Sequence, residues 1–117
     1  MMTNRKTLAL AAYALAAIAA PAAAHAPSFE EQRAHEEEAL IIAAPIAGIE
    51  NQLWFNYQVD VLETKKELKS DLRHASDSED LRDAWDEYRV ELADTRHTYV
   101  KKMQRRGYRQ LKVTVGG

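Results

Sequence analysis

The 117-residue chain has no cysteine, four glycines and three prolines. Without cysteine there is no disulfide framework, no thiolate metal site and no thiol nucleophile. So few glycines leave no Gly-rich phosphate loop, and no EF-hand spacing occurs. No uncharged stretch beyond residue 26 approaches the ~20 residues needed to cross the hydrocarbon core of a bilayer. The last 22 residues contain no acid at all.

What is present divides the chain in two. Residues 1–26 hold 12 alanines and only two charges, Arg5 and Lys6. A basic start, the uncharged run from Leu8 to Ala20, then Pro21 and the small residues ending at Ala24-His25-Ala26 form the three-part pattern of a secretory signal peptide. Cleavage is expected after Ala26, giving a periplasmic or secreted protein with no transmembrane span after processing. From residue 27 onward acids outnumber bases 18 to 14, so the remainder is polar and charge-dense.

The expected fold class is all-α: an antiparallel, coiled-coil-like helical hairpin with a third, kinked N-terminal helix. Ile42, Ile46, Ile49, Leu53, Tyr57, Val61, Leu68 and Leu72 fall three, four or seven apart, along one side of a helix. Leu81, Trp85, Tyr88, Leu92, Thr95, Tyr99 and Met103 continue as a heptad seam. Between the arms, Ser76 and Glu79 have capping-box spacing, and Gly107 after a basic last turn ends the second arm. Each arm would be about 30 residues, roughly 45 Å of helix. Folding about residues 76 and 77 sets Leu81 opposite Leu72, Trp85 opposite Leu68, Leu92 opposite Val61 and Tyr99 opposite Trp54. The same register brings Arg82, Arg89 and Arg96 near Asp71, Glu63 or Glu67, and Asp60.

The first arm carries more apolar surface than one partner can cover. Phe55, Val59 and Leu62 form a second stripe, roughly opposite the seam at ~100° per residue. Either residues 28–44, a helix opened by Ser28 and Glu31 and broken at Pro45 and Gly48, fold over it to make a three-helix bundle, or an oligomer or partner buries it. The organisation is then a signal peptide over 1–26, a hairpin or three-helix bundle over 27–107, and a mobile basic tail over 108–117 in which Leu111, Val113 and Val115 alternate.

Four groups of residues are candidates for function. Ile41, Ile42, Ile46 and Ile49 lie in an eleven-residue run without a polar side chain and would be an apolar partner-binding segment. Lys101, Lys102, Arg105, Arg106 and Arg109 belong to the acid-free C-terminal end and would contact an anionic lipid or lipopolysaccharide surface, or cap a helix. Glu31, His35 and Glu38, at i-4 and i+3 around the imidazole, have the spacing of an incomplete metal site. The aromatics Trp54, Phe55, Tyr57, Trp85, Tyr88 and Tyr99 are dense enough for a stacking platform, but their helical spacing assigns most of them to the core.

No nucleophile–base pair or carboxylate pair in a cleft is legible, so no enzyme and no cofactor are expected. Export and net acidity argue against nucleic acid. The expectation is an exported, non-enzymatic cell-envelope interaction protein that engages a protein partner, a second copy or an anionic surface. The alternative is a periplasmic divalent-metal-binding or stress-chaperone-like accessory protein.

Overall fold

The computed structural model describes residues 26–109. The proposed leader and the alternating residues Leu111 to Val115 lie outside the described residues, apart from Ala26 at the leader's end. What is described is all-helical: α1 (Phe29–Glu38), a 3-10 turn (Ile46–Gly48), α2 (Gln52–His74) and α3 (Ser78–Arg105).

α1 begins at Ser28, whose extended backbone lets its hydroxyl accept from the Glu31 N–H at 3.1 Å. Glu30 and Glu31 in the first turn suit the positive end of the helix dipole. The helix stops at Glu38, earlier than residue 44. The β-branched Ile41 and Ile42 lean towards extended backbone, and Pro45 offers no N–H and disfavours helix at the residue before it.

The periodicity of Ile42, Ile46 and Ile49 therefore continues outside any helix, and α2 is 23 residues long rather than about 30. Residues 39–51 form a strap instead. Its polar backbone is satisfied by tyrosines of the two long helices: Ile42 N–H donates to the Tyr57 hydroxyl at 2.9 Å and Ile46 N–H to the Tyr99 hydroxyl at 3.0 Å. The strap then reverses through left-handed backbone at Ala47 (φ 56°) and Gly48 (φ 70°). A Cβ at Gly48 would meet nothing within 4 Å, so glycine serves the dihedral alone. Asn51 caps α2, its side-chain oxygen accepting from Trp54 N–H at 3.1 Å.

α2 and α3 pack along their length, with the Trp54 ring 5.8 Å from Tyr99 near one end and Leu72 and Leu81 lining the same cleft at the other. They therefore run in opposite directions. Buried side chains recur at Trp54, Tyr57, Val61, Thr64 and Leu68 on α2 and at Ala84, Tyr88, Leu92, Tyr99 and Met103 on α3. Tyr57 and Tyr99 stack at 4.9 Å with their planes 15° apart.

The cap between them sits one residue later than Ser76. Asp77 accepts from Asp80 N–H at 2.8 Å, while the Asp80 carboxylate accepts from both the N–H and the hydroxyl of Ser76. These two bonds hold the Asp80 carboxyl below its ordinary pKa. At the far end Gly107 (φ 90°) turns the chain, and Tyr108 N–H returns to the Met103 carbonyl at 2.9 Å. Tyr108, assigned to the tail from sequence, packs against the core.

α1 does not cover the second stripe of α2. It lies on α3, running alongside it in the same direction, as the pairs Glu30 with Arg82, Glu38 with Tyr88 and Glu37 with Arg96 record. Phe55, Val59 and Leu62 are left 49%, 50% and 59% exposed.

Candidate functional site

The contact between α1 and α3 is polar and continuous. Arg96 donates to the Glu37 carboxylate from Nε at 3.0 Å and from Nη2 at 3.4 Å. The Tyr88 hydroxyl donates to Glu38 at 2.6 Å, and the other Glu38 oxygen lies 2.7 Å from His35 Nδ1. His35 Nε2 is 3.3 Å from Glu31, and the ring tilts over Trp85 at 5.2 Å.

These bonds set the charge states. The Glu38 hydrogen bond, followed by that of Glu31, raises the His35 pKa against the opposing pull of desolvation. For Glu38, desolvation favours the neutral acid, but the bonds from Tyr88 and His35 outweigh it and its pKa is lowered. Tyr88 is pushed well up by burial and by donating to a carboxylate. The expected trio of Glu31, His35 and Glu38 does converge, as an imidazole held between two carboxyl groups. Both ring nitrogens are engaged, so an ion there would have to displace a hydrogen bond.

The arginines expected to flank the seam pair elsewhere. Arg82 faces Glu30 at 3.9 Å rather than Asp71, Arg96 takes Glu37 rather than Asp60, and Arg89 bonds Asp86 of its own helix at 2.8 Å. They lie on the flank of α3 that α1 covers, while the α2 acids lie on the other flank.

That second flank is an acidic face missed in the sequence. Asp60, Glu63 and Glu67 of α2 share a groove with Glu91 and Asp94 of α3, and Asp71, Asp80, Asp83 and Glu87 continue it towards the turn. Desolvation and the neighbouring Glu67 and Glu87 raise the Glu91 pKa. Oxygens of Glu67, Glu87 and Glu91 lie within 4.8 Å of one another. The signal was available: acids at 60, 63, 67 and 71 and at 80, 83, 87, 91 and 94 recur at three or four residues on each helix.

Of the apolar segment, Ile46 is only 4% exposed and packs inward, with Ile41, Ile42 and Ile49 half-buried against the same core. What faces outward is Leu40, 53% exposed, and an open groove of about 220 Å³ between the strap and α2, lined by Ile41, Ile42, Ala43, Gln58 and Leu62 among others. Lys101, Lys102, Arg105, Arg106 and Arg109 are all exposed, with no ion pair among the described residues. A larger cleft of about 490 Å³ opens near the turn beside Leu72, Leu81 and Trp85 and is lined by Ser28 and Ser78, of which Ser28 uses its hydroxyl to cap α1. Among the described residues no helix is long and apolar enough to cross a membrane.

Comparison of the chain with family models, with curated proteins and with solved structures finds no significant match in any of the three.

Proposed function

We propose that the chain is an exported, non-enzymatic interaction protein of the cell envelope, a helical hairpin that presents an apolar edge and a cationic end to a partner protein, a second copy or an anionic surface. The observation that carries this reading is uncovered apolar surface on an otherwise well-packed small bundle. Leu40 and the stripe Phe55, Val59 and Leu62 are about half exposed although the core beneath them is closed. Such a patch costs solubility and marks a contact surface in a folded chain. The cationic end, free of acids, supplies long-range attraction that steers association.

The test is to produce the full chain with a C-terminal tag, fractionate the cells, determine the new N-terminus and crosslink in the intact envelope. The expected product begins at Pro27, and its crosslinked adducts are lost when Leu40→Glu, Phe55→Ser and Leu62→Ser are combined with Arg105→Glu and Arg106→Glu. An unprocessed chain in the cytoplasm, or a processed chain whose adducts survive those substitutions, overturns the reading.

A further inference from the structure

The outer face of α2 holds more than its three bare apolar residues. At about 100° per residue, Phe55, Val59, Leu62, Lys66, Lys69 and Arg73 fall within an arc of about 80°, one straight stripe that is apolar in its first half and cationic in its second. At 1.5 Å per residue it is about 27 Å long. All six side chains are exposed, because α1 packs on α3 and the strap passes along another side of α2. Lys66, Lys69 and Arg73 make no ion pair among the described residues. Glu63 borders the stripe, and the main acidic groove lies further round the helix, on the seam with α3.

We propose that this stripe docks on an anionic lipid surface, with Phe55, Val59 and Leu62 entering the boundary between headgroups and chains and Lys66, Lys69 and Arg73 meeting the lipid phosphates. The proposal rests on the reading of the chain as an interaction protein and narrows both its partner and the surface used. Charge complementarity selects this occupant. A second copy packed parallel would stack like charges, and one packed antiparallel would set each apolar half against three cations with no carboxylate to balance them. The chain's own residues 110–117 add Lys112 and no acid, so they neutralise nothing. A headgroup layer satisfies both halves at once: it is apolar beneath, anionic at the surface, and flat enough for a rigid rod. The acidic groove then faces away from the lipid.

The experiment is vesicle co-sedimentation at low salt of the chain as isolated from producing cells, so that any N-terminal processing is common to all variants. Vesicles are phosphatidylcholine alone or mixed equally with phosphatidylglycerol. Binding is expected only to the mixed vesicles. Phe55→Ser with Leu62→Ser, and separately Lys66→Glu with Lys69→Glu, should each weaken it about tenfold, with the helical circular dichroism unchanged. Arg105→Glu with Arg106→Glu should retain most of it.

Equal binding by the stripe variants overturns the proposal. So does loss confined to the Arg105 and Arg106 variant, which removes the stripe while leaving the envelope reading intact. Equal binding to uncharged vesicles, dimerisation abolished by Phe55→Ser with Leu62→Ser, or binding that emerges only after residues 110–117 are deleted also overturns it. Capture of an acidic protein in place of lipid does the same.

Discussion

α3 meets its two neighbours with opposite chemistry. Towards α2 it offers Ala84, Leu92, Tyr99 and Met103 to a dewetted seam. Towards α1 it offers Arg82, Trp85, Tyr88 and Arg96 to Glu30, His35, Glu38 and Glu37. The first interface gains from removing apolar area from water, a contribution that salt and modest pH change barely touch, while the like-charged acids of the flanking groove repel along its edge. The second is made of charges and hydrogen bonds, and its strength depends on conditions. α1 is ten residues long and has one buried side chain, Ala34. A helix that short does not hold by itself in water, so docking and folding of α1 are one event. The molecule thus joins an unconditional pair of helices to a conditional third.

The sharpest way to break this contrast is at the seam. Leu92→Ala removes a side chain 2% exposed in the centre of α3 and should cost about 2–5 kcal/mol. Urea unfolding should show a lower midpoint at 50 mM and 500 mM salt alike. A loss that changes strongly with salt would mean the seam is not dry.

Next in size is Tyr99→Phe, which keeps the stacked ring and removes only the acceptor of the buried Ile46 N–H. An orphaned buried donor costs about 1–3 kcal/mol. The expected signature is faster hydrogen exchange at Ile46 with the seam amides still protected. Uniform loss of protection would show that the hydroxyl supports the whole core and not the strap alone.

Glu37→Gln tests the other interface. The Glu37 and Arg96 side chains are mostly out of water and meet through two donors, so the loss should be about 1 kcal/mol, at the upper end for ion pairs. It should shrink as salt rises and should fall on α1 amides alone. A cost equal at low and high salt would move α1 docking into the same class as the seam.

How far these regions were legible follows from the same contrast. Apolar periodicity reports which face of a helix is dry, and it identified Tyr57, Val61, Leu68, Tyr88, Leu92, Tyr99 and Met103 as core together with the all-helical class, while Trp54 followed from the hairpin register and the periodic Leu53 is only partly buried. It also ran on through Ile42, Ile46 and Ile49, where Pro45 and the left-handed backbone at Ala47 and Gly48 forbid helix, because the strap buries those residues in a different way. The flank of a helix carries no such signal. Arg82 and Arg96 can be paired with any acid a heptad away, and only the placement of α1 selects Glu30 and Glu37. The second role of Tyr57 and Tyr99, satisfying strap N–H groups 15 and 53 residues away, depends on contacts that no local pattern contains. The bare stripe was visible as a surplus with two covers open, residues 28–44 or an oligomer or partner, and α1, which packs on α3, is not that cover.

The smallest expected effect is the one that makes the conditional helix respond to acidity. His35 titrates above its ordinary 6.5 in the folded chain, chiefly through the Glu38 bond. A group whose folded pKa is raised contributes fully below its unfolded value and loses that contribution as pH climbs through the folded one. Glu38 is lowered from 4.5, so its contribution is present above that value and fades as pH falls through the folded one. α1 should therefore dock best between about pH 4.5 and 6.5 and loosen on the alkaline side first. The imidazole resonances should titrate with a midpoint above 6.5, and intrinsic-rate-corrected exchange at Ala34 should quicken as that midpoint is passed. His35→Gln should flatten the alkaline response without touching the seam. A His35 midpoint at or below 6.5 would remove the alkaline response of α1, and its conditionality would then rest on salt and on Glu38 at acid pH.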